Sequence, residues 1–280
     1  MKNSNAGPAS GKRKLVLWLV LFIVCALVIA ACLGVWVYHL VLRHAMQKLY
    51  EDARVVITLK DDGSGNINID KNNPLEGIID DSEIKTVVRI DFDILKNTSK
   101  DVYSWIEIPG SEVAFPIVQH PKNNSYYLRR AINGSYDVTG CIYTQNYNAK
   151  DFSDDNTIIY GHYMRDGTKF GSLLSYMDKE YFDSHRTVMI YTPEKVLKYK
   201  VYAALPFDTR HILKTYISAS DPYEAFLEDV YSSSDARTVI ANDVTVDPEN
   251  DKIITLSTCL KNGSRRYLVL AVLESSNSVE

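Results

Sequence analysis

Three side chains suited to acyl transfer stand at the edges of strand-like segments of this sequence. Cys259 closes the run TLSTC at 255–259, and Arg266 opens the next apolar run seven residues later. Far upstream, a third apolar run ends directly before Gly161 and His162. A thiol can act as a nucleophile, an imidazole can carry a proton, and a guanidinium can stabilise an oxyanion. Together these residue types point to cysteine-dependent acyl transfer.

Each of these residues also has a purely structural interpretation. Cys259 can be a buried cysteine at a strand end, although the polar residues around it favour an exposed thiol. His162 can be a surface histidine in a loop, although the preceding Gly161 permits a sharp bend. Arg265 and Arg266 would point to opposite faces of a strand, and the alternation of the following residues does not choose between them.

The bulk composition excludes several classes of function. The chain has 280 residues, 24% of them charged, and a net charge of −4. Nucleic-acid binding would need a clustered basic face, which the sequence lacks. No His or Cys cluster has the spacing of a zinc site, so we expect no metal and no cofactor.

The N-terminus contains a candidate membrane span. Residues 15–38 form a run of 24 residues without a charge. As a helix this run rises about 36 Å, and a bilayer core is about 30 Å thick. A cleaved signal peptide is the alternative, but its apolar core would have only about 7–15 residues. The basic cluster at 12–14 favours a cytoplasmic N-terminus, with the rest of the chain outside.

The cysteines give no disulfide framework. Cys25 and Cys32 fall inside the apolar run, which leaves Cys141 and Cys259. These two can form a single bridge, but a free thiol in an exported domain is more typical of chemistry than of structure. We expect Cys141 to lie in the core.

Four segments have helical spacing, and one of them carries a complete N-terminal signature. In the segment 221–231, Asp221 can cap, Pro222 fits the first helical position, and Glu224 follows three after the cap. A segment rich in Asp, Asn and Gly at 60–83 predicts a linker. The predicted helices are 39–57 (a stalk), 91–105, 170–182 and 221–231.

From residue 105 onward, short apolar runs alternate with turns. Their spacing predicts a closed antiparallel or mixed β-barrel. The eight predicted strands are 105–109, 115–119, 140–145, 156–161, 187–192, 197–205, 252–258 and 266–273.

Several ordered motifs resemble the sortases, and specifically class B. The TLSTC pentapeptide resembles the nucleophile motif of the family, and IIYGHYMRDGTKFGSLLSY at 158–176 resembles its histidine region. The run DVYSWIEIPGSEVAFPIVQHPKNNSYYL at 101–128 is similar to the start of the barrel. Arg266, followed by an aromatic and aliphatic residues, fits the family arginine better than Arg265. The resemblance covers roughly residues 88–276.

The resemblance implies an eight-stranded sortase-type β-barrel with helices in its connections. In such an enzyme Cys259 would attack the Thr carbonyl of a C-terminal sorting motif of NPxTx type. Arg266 would stabilise the oxyanion, and His162 would protonate the leaving amine. An amine of a peptidoglycan precursor (lipid II) or a pilin Lys would then resolve the thioacyl-enzyme. Surface proteins with a C-terminal sorting signal would be the substrates.

The resemblance also implies residues that contact the peptide and an organisation along the chain. Ser257 and Tyr160 resemble positions that line the peptide groove, and Thr258 is expected beside them. The expected parts are a cytoplasmic tail (1–14), a transmembrane helix (15–38), a stalk and linker (39–87) and an extracellular catalytic domain (88–280), in a single-pass protein of a Gram-positive cell membrane.

Three alternatives stay open at this stage. A membrane-anchored cysteine protease would use water as the acceptor instead of an amine. A class B pilin polymerase would use the same three residues on a different acceptor. A non-enzymatic binding module would keep its function after Cys259→Ala.

Overall fold

The computed structural model describes residues 9–60, 68–69, 84–260 and 265–278. The chain forms two compact units, Met1–Lys48 and Leu49–Glu280. The first unit consists of most of helix α1 (Ala9–Ala53). The part Lys14–Ala53 is long and apolar enough to cross a membrane, with a mean hydropathy of 3.2 in its most apolar window. The predicted span 15–38 lies within this helix.

A small antiparallel sheet follows α1 in the sequence. It is built from β1 (Arg54–Lys60), β2 (Asn68–Ile69) and β3 (Ile84–Ile90), in the order β2-β1-β3. The helix predicted over 39–57 is therefore wrong beyond Ala53, because a run of β-branched residues there pairs with β3 instead. Apart from β2, and from Lys60 at the end of β1, the linker predicted over 60–83 lies outside the described residues.

Eight strands in the described part of the chain close a barrel. Their order is β9-β12-β11-β7-β6-β5-β4-β8, and β8 pairs back onto β9. A short strand β10 (Val239–Ile240) pairs with β9 at Ala203 and Ala204, beyond the part of β9 that pairs with β8. The eight barrel strands are β4 (Val102–Glu107), β5 (Ala114–Val118), β6 (Ile142–Thr144), β7 (Asn156–Tyr160), β8 (Thr187–Tyr191), β9 (Lys195–Phe207), β11 (Ile253–Cys259) and β12 (Arg266–Ser278). Each predicted strand overlaps one of them, which confirms the predicted barrel.

The helices of the second unit lie in the connections. They are α2 (Phe92–Thr98), α3 (Lys179–Ser184), α4 (Ile212–Thr215) and α5 (Pro222–Tyr231), with 3₁₀ turns at Tyr126–Arg129 and Ser172–Met177. The predicted cap of α5 is confirmed, because Asp221 accepts hydrogen bonds from the backbone N–H groups of Tyr223 and Glu224.

Two predicted helices need correction. The one over 91–105 ends at Thr98, and β4 begins at Val102 because its buried β-branched and aromatic side chains pair with β5. The one over 170–182 is a 3₁₀ turn followed by α3, where Asp178 ends the turn and caps the new helix through the N–H of Tyr181.

Two apolar clusters lie on the two faces of the barrel wall. Ile254 and Leu256 of β11 belong to the cluster inside the barrel. Ile253 belongs to the outer cluster, which Phe226 and Leu227 of α5 cover. Because side chains alternate along a strand, Ser257 and Cys259 share the outer face with Ile253, and Thr258 points inward. The alternation of β11 therefore places the thiol on the face that α5 flanks.

Candidate active site

The thiol of Cys259 and the guanidinium of Arg266 are in direct contact. The two residues are register partners at the end of the β11–β12 pair where the chain passes from one strand to the next. Nη1 of Arg266 donates a hydrogen bond to Sγ of Cys259 at 3.0 Å, and both residues are half-buried. A cationic donor on the sulfur stabilises negative charge there, and its other N–H groups can reach an oxygen bound next to the sulfur.

Arg265 is committed to a different partner. Its Nη1 donates to Oδ2 of Asp235 at 2.9 Å, and its Nη2 lies 3.4 Å from the carbonyl oxygen of Pro206. Hydrogen bonds from Arg237 and then from Arg265 hold the pKa of the Asp235 carboxyl below its usual value. The alternation of side chains along the strand did not decide which arginine faces the thiol, and the structure shows that Arg266 does.

His162 lies just beyond the end of β7, beside the end of β11. The two strands are parallel, with Tyr160 opposite Ser257, and the N–H of Gly161 donates to the Ser257 carbonyl at 3.1 Å. Nε2 of His162 lies 2.6 Å from the carbonyl oxygen of Leu128. A carbonyl only accepts, so Nε2 carries the proton and Nδ1 is left for other partners. No sequence motif pointed to this contact with Leu128.

Glycine at position 161 is a steric requirement of this turn. A Cβ there would lie 2.5 Å from Cδ2 of Phe170 and 2.6 Å from Cδ1 of Ile142. The chain then returns on itself, because the N–H of Phe170 donates to the His162 carbonyl at 3.1 Å. Tyr163 and Lys169 form an isolated β-bridge inside this turn. We call residues 162–170 the histidine hairpin.

A stacked tyrosine pair adjoins the thiol and the guanidinium. Tyr143 of β6 and Tyr160 of β7 are register partners whose ring centroids lie 5.4 Å apart at an interplanar angle of 25°. Burial raises the pKa of Tyr143, Arg266 opposes this shift and Cys259 adds to it, which places Tyr143 within electrostatic reach of both. Sequence reasoning singled out Tyr160 and missed Tyr143, because only the strand register brings the second ring to the site.

The other predicted peptide-contacting residues lie on different faces. Ser257 is on the outer face of β11 with Cys259, although it is 2% exposed. Thr258 points to the barrel interior and is fully buried, with a hydroxyl that has no hydrogen-bond partner in the structure. A peptide bound at the thiol would therefore meet the outer face of β11, and direct contact with Thr258 is not expected.

A cleft of about 660 Å³ lies between the loop after β6 and the α4–α5 connection. Its walls combine aromatic and apolar side chains, such as Tyr147, Tyr216 and Ile217, with the charged Asp155 and Lys214. Volumes of this size are typical of ligand sites in proteins. Tyr216 from the cleft and Tyr160 from the site pack on the same outer apolar cluster, so one continuous apolar surface underlies both.

Cys141 is separate from this chemistry. It is 2% exposed, and its Sγ donates to the carbonyl oxygen of Arg130 at 3.1 Å. Burial raises the pKa of its thiol to about 12. Cys141 and Cys259 are both free, so the structure does not contain the bridge that the sequence left open. Among the described residues, no group of three or more His, Cys, Asp or Glu is placed to hold a metal ion.

Comparison with known proteins gives a consistent result. A family model described as "Sortase domain" matches residues 106–274. Sortase B of Listeria monocytogenes is 30% identical over 213 residues, which is 76% of this chain and 77% of that protein. The sortase B structure from Bacillus anthracis in complex with AAEK1 has 33% identity and a TM-score of 0.57, and the match covers 66% of this chain and 84% of that one.

A third relative is described as a complex with substrate. The Staphylococcus aureus sortase B–substrate complex is 26% identical, with a TM-score of 0.58 and coverage of 66% of this chain and 84% of that one.

The fold and these matches show that the chain belongs to the sortase family. Within the family it falls in class B, whose members act as cell-wall transpeptidases.

Proposed function

We propose that this chain is a membrane-anchored cysteine transpeptidase that cleaves a C-terminal sorting motif after Thr and transfers the acyl group to an amine of a peptidoglycan precursor such as lipid II. The contact between Arg266 and Cys259 is the observation that carries the proposal. It provides a nucleophile with a cationic donor at the end of two barrel strands. His162 follows the neighbouring strand and supplies a proton carrier at the same end.

The first half-reaction forms a thioacyl-enzyme. Sγ of Cys259, as the thiolate, attacks the carbonyl carbon of Thr in the motif, and the carbonyl electrons move onto oxygen. N–H groups of Arg266 stabilise this oxyanion. When the tetrahedral intermediate collapses, the C–N bond breaks and the leaving amine takes a proton from His162. The Leu128 carbonyl accepts from Nε2, so Nδ1 is the nitrogen that exchanges this proton with the substrate.

The second half-reaction reverses the proton transfer. The acceptor amine loses a proton to neutral His162 and attacks the thioester carbonyl, which forms an amide and releases the thiolate of Cys259. Arg266 stabilises the oxyanion again and then the thiolate that leaves. The product carries the surface protein, up to its Thr, on the acceptor amine.

The motif would bind along the outer face of β7 and β11. Tyr160, stacked on Tyr143, offers an aromatic surface next to the thiol. An extended pentapeptide spans about 17 Å, which matches the length of the five-residue strand β7. The motif can therefore reach from Cys259 toward the cleft beside α4 and α5. Ser257 would line the start of this path.

The N-terminal helix would anchor the enzyme. Residues 15–38 would span the membrane, with residues 1–14 in the cytoplasm, residues 39–87 as stalk and linker, and the catalytic domain 88–280 outside. The apolar length of α1 and the basic cluster at 12–14, before the apolar run, support this arrangement. The surface-protein substrate and the precursor amine would then meet the enzyme on the same side of the membrane.

The experiment uses the full chain in detergent and a panel of fluorogenic peptides with NPQTN-, SPxTG- and LPxTG-like motifs. Each is tested with triglycine, with a pilin-type Lys peptide and without an amine, and mass spectrometry identifies the products. A Thr-terminated fragment joined to triglycine, absent with Cys259→Ala, supports the proposal. Transfer to the Lys peptide alone would assign a pilin polymerase. Hydrolysis in every condition would assign a protease, and no reaction with any peptide would leave a binding role.

A further inference from the structure

The side chain of Lys169 lies over two aromatic rings. Its Nζ is 4.5 Å from the ring centroid of Phe115 and 5.7 Å from that of Tyr50. Cation–π contacts of this kind are stronger where the cation is shielded from water, and Lys169 is half-buried. Burial lowers the pKa of its ammonium. The two rings thus form a small aromatic site that holds one end of the Lys169 side chain.

Lys169 belongs to the histidine hairpin. Its backbone bridges to Tyr163, and the next residue donates its N–H to the His162 carbonyl. Lys169 has a φ of +53°, in the left-handed region that residues with a Cβ rarely adopt. Such a conformation persists only where the surroundings hold it in place. Contacts of the Lys169 side chain therefore bear directly on the conformation of the hairpin that carries His162.

Tyr50 belongs to the last part of α1, inside the second compact unit. Its ring makes edge contacts with Trp105 at 6.3 Å and with Phe115 at 6.2 Å between centroids. Ala53, at the helix end, is fully buried, and its carbonyl accepts a hydrogen bond from Asp91 at 2.8 Å. The end of α1 is thus a fixed part of the second compact unit, which contains the barrel.

We infer that Tyr50 and Lys169 are positioning residues: the last turns of α1 clamp the histidine hairpin through the Lys169 ammonium and thereby hold His162 beside Cys259. Phe115 of β5 forms the second wall of this clamp. The inference rests on the proposed catalytic role of His162. The last turns of the helix that contains the candidate membrane span would then help to position His162, the proton carrier.

Kinetics of the full chain in detergent test the clamp. A small misplacement of a catalytic group has a large effect on rate, so we expect Tyr50→Ala and Lys169→Ala each to lower kcat about tenfold, with KM changed by less than about twofold. Tyr50→Phe keeps the ring and Lys169→Arg keeps the cation, so both should restore most of the rate. The double alanine variant should be no slower than Lys169→Ala alone, because that substitution already removes the contact with Tyr50.

Hydrogen exchange followed by mass spectrometry gives a readout that does not depend on turnover. In Tyr50→Ala, peptides that cover 162–170 should exchange faster, whereas peptides from β11 and β12 should not change. The matched control is Lys96→Ala, because Lys96 also lies over a ring, that of Phe92 at 5.9 Å, but on α2. This control should alter neither the rate nor the exchange of the hairpin.

The outcomes separate the clamp from the proposed function. An inactive wild type would overturn the transpeptidase, while faster exchange of 162–170 in Tyr50→Ala would still support the clamp. An active wild type whose Tyr50→Ala variant keeps its kcat and its hairpin exchange would overturn the clamp alone. Equal loss in Tyr50→Phe and Tyr50→Ala, or additive losses in the double variant, would also contradict it.

Discussion

The guanidinium of Arg266 donates to the sulfur of Cys259 at 3.0 Å, between the last residue of one strand and the first residue of the next. Antiparallel pairing fixes the two backbones opposite each other, so the contact is set by the register of the sheet. This arrangement assigns two adjacent arginines to different tasks, since Arg265 pairs with Asp235.

The two arginines should respond very differently to substitution. Loss of an oxyanion donor typically costs about 100–1,000-fold in kcat, and we expect Arg266→Ala to fall in this range. Arg266→Lys should recover only part of the rate, because an ammonium cannot donate from two nitrogens. Arg265→Ala, the matched control, should stay within about threefold of wild type, since a partly exposed ion pair contributes little. Steady-state kinetics would check this, and a larger loss in Arg265→Ala than in Arg266→Ala would reverse the assignment.

Gly161→Ala should impair both stability and activity. The added Cβ would lie 2.5 Å from Phe170 and 2.6 Å from Ile142, so the turn before His162 would have to move. Overpacking of this kind typically costs about 1–3 kcal/mol in the free energy of unfolding. Gly167→Ala is the control in the same hairpin, because a Cβ there meets no atom within 4 Å, although its φ of +85° carries some strain. Thermal melts and kcat of both variants would check this, and equal losses would show that space at 161 is not the cause.

Cys141 should stay unreactive under conditions in which Cys259 is alkylated. Burial raises the pKa of the Cys141 thiol to about 12, so its thiolate is scarce at pH 8. Iodoacetamide labelling followed by peptide mass spectrometry should find Cys259 modified, and Cys141 modified only in urea.

The raised pKa of the Cys141 thiol also makes the stability of the protein depend on pH. The unfolded thiol has a pKa of about 8.5, so above this pH the unfolded state binds fewer protons than the folded state, and stability falls as pH rises. Cys141→Ala should remove this part of the alkaline loss of stability. Rapid native labelling of Cys141 at pH 8 would contradict the assignment of this thiol to the core.

The compact unit that contains the barrel begins at Leu49, and its full stability should require the end of α1. Ala53 is fully buried, and Arg54 forms a bidentate ion pair with Glu107, at 2.5 and 3.1 Å. A fragment 55–280 lacks these contacts and should melt about 5–10 °C below a fragment 45–280. A longer fragment, 39–280, is the control and should melt with 45–280. Equal melting of all three would show that the end of α1 does not stabilise this compact unit.

The sequence predicted the barrel well because its strands are short and separated by clear turns. All eight strands and the cap of α5 could be predicted from local pattern. Cys259 lies at the end of one such strand and Arg266 at the start of the next. Prediction from local pattern failed at Val55 and Val102. Both were assigned to helices, but each pairs in a sheet with a strand formed by later residues. Tertiary pairing decides such segments, and a single sequence does not display it.

The site residues that the sequence missed depend on the same long-range pairing. Tyr143 reaches Tyr160 through strand register, and the Leu128 carbonyl reaches His162 from a 3₁₀ turn far upstream. Neither residue has a distinctive local motif. Thr258 is the opposite case. It was predicted to contact the peptide because it precedes the nucleophile in sequence, but strand alternation points its side chain into the core.

Mass spectrometry of the intact enzyme during turnover without an amine tests the central claim most directly. The full chain is mixed with a peptide that it cleaves and quenched in acid. We predict an adduct equal to the peptide up to its Thr, located on Cys259 by peptide mapping and lost when triglycine is added. Peptide cleavage that proceeds without this adduct, or that survives Cys259→Ala, would contradict the account.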